Sequence, residues 1–260
     1  MGSSESVYEV QTSGFWLSVA AEFVGTMLLV IFGCGSCAYE AIPLAIALSF
    51  GLSVSTVVWA IAHVSGGHIN PAVTMGFLAT RKMSFIKAFM YVVSQMSGAI
   101  IGAVILNSLY PESTFKGLCT PTPKTGTSAI VTFTVEFLVT FLLVFVVFAT
   151  CDGQRKGFAG SGPLAIGLSV TVGHLMGMNL TGAGTNPARV FGPAVISGTF
   201  DRHWAYWIGP MAAGAVAGFI YDFLFAVNAC TEKLKAFFTT ADYNDADFKK
   251  VSCGINIPHS

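Results

Sequence analysis

Three long stretches of this chain carry no formal charge: no Asp, Glu, Lys or Arg occurs from Ala41 to Thr80, from Ala88 to Pro111, or from Gly157 to Ala188. Each exceeds the roughly 20 apolar residues that cross a bilayer as a helix. In hydrocarbon every backbone N–H and C=O must be paired within the protein, so such a chain is restricted to helices or a closed barrel. Runs this long and uniformly apolar fit helices. Only 10 % of the 260 residues are charged, against roughly 25 % in soluble domains, which argues against a soluble enzyme. Lys plus Arg (13) balances Asp plus Glu (13), so there is no basic excess to draw the chain to nucleic acid.

The spans read as Phe15–Gly33, Ile42–Ile61, Phe85–Leu106, Ser128–Cys151, Pro163–Met178 and Trp204–Val227. They divide the chain into an N-terminal tail (1–14), a membrane domain (15–227, with repeats of about 15–107 and 128–227) and a C-terminal tail (228–260). An even number of spans leaves both termini on one side. If that side is the cytoplasm, Arg81, Lys82, Lys87, Arg155, Lys156, Lys233, Lys235, Lys249 and Lys250 lie inside and Lys116, Lys124 and Arg202 outside, as the positive-inside rule requires. The first fourteen residues lack the basic segment and cleavage site of a signal peptide. Met1-Gly2-Ser3-Ser4-Glu5-Ser6 fits the permissive N-myristoylation pattern, though a multispan protein needs no acyl anchor.

The chain is also duplicated. Ala21-Glu22-Phe23-Val24-Gly25-Thr26 aligns with Val135-Glu136-Phe137-Leu138-Val139-Thr140 at an offset of 114, and Pro43-Leu44-Ala45-Ile46 repeats as Pro163-Leu164-Ala165-Ile166 at 120. Ser65-Gly66-Gly67-His68-Ile69-Asn70-Pro71-Ala72 matches Thr181-Gly182-Ala183-Gly184-Thr185-Asn186-Pro187-Ala188 at 116, as Gly98 and Gly102 match Gly214 and Gly218. Three spans per copy is an odd number, so the second copy enters the membrane from the opposite face. Inverted repeats of this kind recur in transport proteins, with the site near the midplane where broken helices meet.

Each Asn-Pro-Ala follows a glycine-rich stretch and opens an apolar segment too short to span. Asn caps a helix well, and Pro at the first helical position loses no needed N–H. Two half-helices, one from each face, would therefore bring their positive dipole ends together at the membrane centre, repelling cations. The cap asparagines Asn70 and Asn186 are expected to turn N–H groups toward a neutral, oxygen-bearing permeant. The unwound backbone is tolerable only along a wet path, so Gly66, Gly67, His68, Gly182 and Gly184 are expected to line it with carbonyls. Glu22 and Glu136, isolated carboxylates in the first and fourth spans, are costly in lipid; their repeat-related placement suggests acceptors for backbone N–H groups of the re-entrant loops, with a proton relay as the alternative.

These paired boxes, Asn70-Pro71-Ala72 and Asn186-Pro187-Ala188, with Arg189 directly after the second and a six-span duplicated layout, resemble the aquaporin (major intrinsic protein) family. The resemblance runs from about Phe15 to Val227. It implies an all-α membrane fold of six transmembrane helices plus two re-entrant half-helices, and a homotetramer with one pore per subunit. In its water-selective branch it implies a filter of Phe50, His174, Ala183 and Arg189. Glycerol-conducting members usually have a small residue in place of the His, Asp after the Arg, and Lys or Arg four residues later. Here those last two positions hold Val190 and Ala194, and Tyr206-Trp207 stands where water channels tend to carry an aromatic pair. The family's mercury-reactive cysteine falls on Ala183, so block at that position is not expected.

The reading is thus a passive water channel in the plasma membrane that excludes protons and ions, with no catalysis, cofactor or metal. Its alternatives are a channel that also passes glycerol or other small neutral solutes, a junctional or adhesive protein of the same fold, and an intramembrane enzyme, for which the chain offers no convincing nucleophile or metal set. The six cysteines (Cys34, Cys37, Cys119, Cys151, Cys230, Cys253) read as small packing residues. His63 reads as a satisfied structural histidine and His203, beside Trp204 and Trp207, as an interfacial anchor. The sequon at Asn179 is expected to lie in the re-entrant loop and stay unmodified, and Ser84, after Arg81-Lys82, could be a kinase site. The C-terminal tail shows no clear partner motif.

Overall fold

A computed structural model describes residues 8–38, 42–111, 115–155 and 160–248; the acylation pattern at the N-terminus and Cys253 lie outside them. Among the described residues every regular element is a helix, with no strand. Six helices among these residues are long and apolar enough to cross a membrane. They are α1 (Ser13–Leu29, continued by a π-helical turn Val30–Cys34), α2 (Pro43–Ser65), α4 (Phe85–Leu109), α5 (Ala129–Cys151), α6 (Gly162–Thr181) and α8 (Ala205–Ile220, continued by a π-helical turn Tyr221–Phe225). Between them lie α3 (Pro71–Ala79) and α7 (Pro187–Ser197). At 1.5 Å per residue these reach only about 14 and 17 Å, half a bilayer core. A short amphipathic helix, α9 (Thr231–Thr239), follows the last span.

α2 and α6 run further than the apolar pattern suggests, to Ser65 and Thr181. Each continues until a glycine in the left-handed region stops it, Gly66 (φ 89°) and Gly182 (φ 82°), the usual way a helix ends. Asn179 consequently sits in the last turn of α6, exposed, rather than in the re-entrant loop. His63, on the last turn of α2, is likewise exposed instead of satisfied in the core.

The two repeats interlock. α2 crosses α6 where Gly51 meets Gly167: a Cβ on either would run into the other's backbone carbonyl. Each half-helix packs against the last span of the opposite repeat, α3 on α8 and α7 on α4. Gly214 lies against the Ala72 carbonyl and Gly192 against Ala99. Gly98 and Gly102 take α4 onto the backbone of α1 at Phe23 and Met27. The small residues thus serve contacts inside the chain, as small-residue packing does in membranes generally.

Three of the described cysteines depart from the packing role. Cys37 and Cys119 form a disulfide that ties the segment after α1 to the α4–α5 connection. Cys230, at the opposite end of the bundle, is also disulfide-bonded, so cysteine pairing alone does not orient the chain.

The C-terminal segment is docked by a clasp that composition did not reveal. The Lys233 ammonium, fully buried, donates to Asp222 Oδ1 (2.9 Å), Asn228 Oδ1 (2.8 Å) and Asp245 Oδ1 (2.6 Å), and Lys82 Nζ bridges Asp222 (3.0 Å) and Asp245 (2.7 Å). Burial alone would raise the Asp245 carboxyl, but its bonds to Lys233 and Lys82 hold it below the ordinary range. Burial would lower Lys82, yet Asp222 and Asp245 together hold it above. Asp245 therefore contributes stability above its ordinary pKa that is lost as pH falls through the depressed value. Lys82 contributes below its ordinary pKa, and that contribution is lost as pH rises through the raised value. Tail docking is expected to be constant from mildly acidic to mildly alkaline pH and to fail at both extremes. Lys233→Ala, which removes a fully buried ammonium and leaves buried Asp222 and part-exposed Asp245 with Lys82 alone as their ammonium partner, should weaken it by on the order of 3 kcal/mol. Limited proteolysis of the tail across pH reads both effects; unchanged cleavage in the variant would remove the clasp from the account.

Candidate functional site

Glu22 and Glu136 organise the two loops that precede the half-helices. Glu22 Oε1 accepts from Ser65 Oγ (2.7 Å) and His68 N (2.9 Å), and Oε2 from Ile69 N (2.6 Å) and Gln95 Nε2 (2.7 Å). Glu136 Oε1 accepts from Thr181 Oγ1 (2.6 Å) and Gly184 N (2.9 Å), and Oε2 from Thr185 N (2.8 Å). Two tyrosines complete the frame, Tyr91 donating to the Ser65 carbonyl (2.8 Å) and Tyr206 to that of Thr181 (2.5 Å). The loops share one backbone course, with positive φ at Gly66, Gly67 and Ile69 and again at Gly182, Ala183 and Thr185. Ile69 (46°) and Thr185 (54°) are β-branched, so this conformation is strained. A carboxylate oxygen on the N–H of each holds it there.

Both cap asparagines act across the repeat boundary. Asn70 Oδ1 accepts from Ala72 N (2.8 Å), while its Nδ2 donates to the Thr185 carbonyl (3.0 Å). Asn186 Oδ1 accepts from Ala188 N and Arg189 N (3.0 and 3.2 Å), while its Nδ2 donates to the Ile69 carbonyl (2.7 Å). The N-termini of α3 and α7 therefore meet, with Pro71 and Pro187 in the first turn of each. An amide nitrogen carries two N–H groups; one of each pair ties the repeats together, and the expected contact to a permeant has only the other.

Phe50, His174 and Arg189 come together as a cluster, each no more than 2 % exposed. The His174 ring stacks on Phe50 at 4.5 Å, and the Arg189 guanidinium lies 4.7 Å from the Phe50 centroid on its face. His174 Nε2 and Arg189 Nε and Nη1 are buried with no protein partner, polar groups left facing whatever passes. Ala183, fully buried, lies in the same left-handed loop. Below the cluster a cavity of about 30 Å³ runs along Gly67, His68, Asn70, Thr185 and Asn186. Above it opens a vestibule of about 190 Å³ that reaches Gly182, Cys119 and Thr120. Phe50 and Arg189 line both spaces and divide them.

Of the expected carbonyl row, Gly67 and His68 line the inner cavity and Gly182 the vestibule, whereas Gly66 lines neither. Gly184 also departs: its carbonyl accepts from Asn186 N (2.6 Å) and from Thr185 Oγ1 (2.8 Å), which uses both lone pairs. The His68 ring is packed in place, with Nδ1 3.1 Å from Thr74 Oγ1 and its face stacked on Phe77. Ser84 caps α4 and donates to Glu9 Oε2 (2.6 Å). Gln95, which braces the first loop, went unnoticed in the sequence because it has no counterpart in the second copy; Tyr91 has one in Tyr206, at an offset of 115. No group of three or more His, Cys, Asp or Glu with metal-binding geometry occurs among the described residues.

Three comparisons bear on this arrangement. The profile of the family described as Major intrinsic protein matches residues 9–221. Mouse Aquaporin-4 is 44 % identical over 241 residues, which span 89 % of this chain and 75 % of that protein. The lens fiber major intrinsic protein of Lithobates pipiens is 46 % identical over 222 residues, 84 % of each chain. Among solved structures, the aquaglyceroporin of Plasmodium falciparum superposes with a TM-score of 0.73 over 81 % of this chain and 96 % of its own, at 21 % identity, a likeness of fold.

Proposed function

The chain belongs to the major intrinsic protein family and is an integral multi-pass membrane protein; from that premise we propose that it is a passive water channel whose solute choice is made at Phe50, His174, Ala183 and Arg189. The observation that carries the reading is the stacked Phe50–His174 pair with Arg189 on its face, standing between the two spaces of the pore. Arg189 and His174 supply fixed polar groups to a permeant that must shed part of its hydration, and the Phe50 ring removes the room a three-carbon polyol needs. The inner cavity, at about 30 Å³, suits water in file, one molecule needing about 10–15 Å³ on this measure.

Proton and cation exclusion follows from the same parts. The N-termini of α3 and α7 carry roughly half a positive charge each, and the guanidinium adds a full one at the outer cluster. Asn70 and Asn186 orient water at the centre by their remaining N–H groups. The distribution of Lys and Arg supports cytoplasmic termini and a vestibule open to the exterior. A plasma-membrane homotetramer with one pore per subunit completes the proposal.

Stopped-flow light scattering on proteoliposomes tests it. Wild type is expected to conduct water well above empty liposomes and to exclude glycerol, and His174→Ala combined with Arg189→Val is expected to admit glycerol while still passing water. Water flux at the empty-liposome level would sink the channel reading and favour an adhesive role. Glycerol uptake by wild type would move the protein to the solute-conducting class.

A further inference from the structure

The vestibule holds a feature that the repeat does not explain. The turn at Lys116–Cys119 carries left-handed backbone at Gly117, Leu118 and Cys119 (φ 72°, 50° and 59°), a conformation that non-glycine residues keep only when held. Leu118 and Phe115 anchor it in the core, and the Cys37–Cys119 disulfide ties it to the end of the first span, 82 residues away in sequence. That disulfide lines the outer space together with Phe50 and Arg189. Arg189 Nη2 lies 3.5 Å from Cys119 Sγ, the one hydrogen-bonding side-chain partner of the guanidinium among the described residues, while Nε and Nη1 are buried and unpaired.

We propose that the Cys37–Cys119 disulfide is a specificity-determining element of the pore, with Cys119 as a positioning residue for Arg189. The inference rests on the reading of Arg189 as part of the filter. A long cationic side chain with one weak sulfur acceptor is held over Phe50 largely because the turn above it cannot move away. With the crosslink open, the turn and guanidinium gain freedom and the outer constriction widens. Water, already small enough, is little affected; glycerol gains entry. Opening the bond with a phosphine reductant breaks S–S, leaves two thiols with protons taken from water, and converts the phosphine to its oxide. The Cys119 thiol then stands beside a guanidinium that favours its thiolate, which makes it a site for mercuric ion in the vestibule.

Proteoliposome fluxes of water and glycerol are compared for oxidised wild type, wild type treated with tris(2-carboxyethyl)phosphine, Cys37→Ala and Cys119→Ala. Cys37→Ala keeps the Cys119 sulfur but frees the turn; Cys119→Ala removes both. The expected result is a several-fold rise in the glycerol-to-water permeability ratio on reduction and in both variants, with water flux retained. Mercuric chloride should block reduced wild type and Cys37→Ala, and spare oxidised wild type. Because Cys230 is also disulfide-bonded, reductant is added to Cys37→Ala as well, where it should not change the ratio further. If Cys119→Ala fails to fold, reduction of the assembled wild type still decides the question. An unchanged ratio on reduction and in Cys37→Ala, with water flux intact, overturns the inference alone. A wild type without water flux overturns the channel reading and this inference with it.

Discussion

Glu136→Ala is expected to leave little folded channel. The substitution strands two donors inside the membrane domain, the N–H groups of Gly184 and Thr185, and leaves the Thr181 hydroxyl only its 3.3 Å bond to the Gly177 carbonyl. Each buried orphan costs about 1–3 kcal/mol, so the sum is on the order of 5 kcal/mol, comparable with the whole stability of many domains. It also releases Thr185 from its left-handed backbone, whose carbonyl receives Asn70 Nδ2 and Thr140 Oγ1, so the damage reaches the other repeat. Glu136→Gln keeps one acceptor oxygen but turns an amide NH2 toward a donor, and should be intermediate. Glu22→Ala should be at least as harmful, since Gln95 loses a partner too. Thermal unfolding in detergent gives the ranking, and water flux per folded protein gives the functional loss. A Glu136→Ala protein with wild-type melting temperature and flux would falsify the role assigned to the carboxylates.

Alanine at Gly51 or Gly167 is expected to be nearly as damaging, against the ordinary sign of the exchange. In an exposed helix interior, Gly→Ala stabilises by about 1 kcal/mol. Here the added Cβ on Gly51 would sit 2.5 Å from the Gly167 carbonyl oxygen and still closer to Thr171 Oγ1, and a Cβ on Gly167 would meet the Gly51 carbonyl and stand 2.7 Å from Ser55 Cβ. The obstacle is backbone, so α2 and α6 must separate. That displaces Phe50 and His174, each adjacent to or within two turns of the crossing, and opens their stack. Gly153→Ala, where nothing lies within 4 Å, is the control and should be neutral. The pair should lower folded yield, and whatever folds should leak glycerol. Wild-type yield and selectivity in both variants would mean the helices part at no cost.

The six crossings were legible because charge-free length and hydrocarbon thickness leave few options, and the half-helices because a paired N-cap and proline repeat at one offset. The proposed filter positions came from the resemblance one by one, and the structure gathers Phe50, His174 and Arg189 into one cluster while Ala183 is buried in the left-handed loop before α7. Other parts could not be read. The pairing of Cys37 with Cys119 depends on a turn whose backbone no local pattern announces. The burial of Lys233 depends on Asp222, Asn228 and Asp245 converging from three segments, and in sequence it is one more lysine in a polar tail. Gln95 bonds Glu22 without a counterpart in the second copy, so a search guided by the repeat passes over it. The use of both Gly184 lone pairs is a local backbone matter that composition does not encode.

The cross-linked asparagines set a timetable for synthesis. Asn70 needs the Thr185 carbonyl, Ile69 needs Asn186, and α3 seats against Gly214, so the first half-helix emerges about 140 residues before its seat exists. At 5–20 residues per second that is roughly 7–30 s. For that interval the segment 69–79 has the Asn70 amide, the Ile69 carbonyl and an apolar flank without their final partners, and hydrocarbon is a poor place to wait. The segment must be sheltered at the membrane surface or in the insertion machinery until the last span arrives. Pore closure is then the final act of biogenesis, and a ribosome that stops before α8 releases a product with four or five spans and no channel.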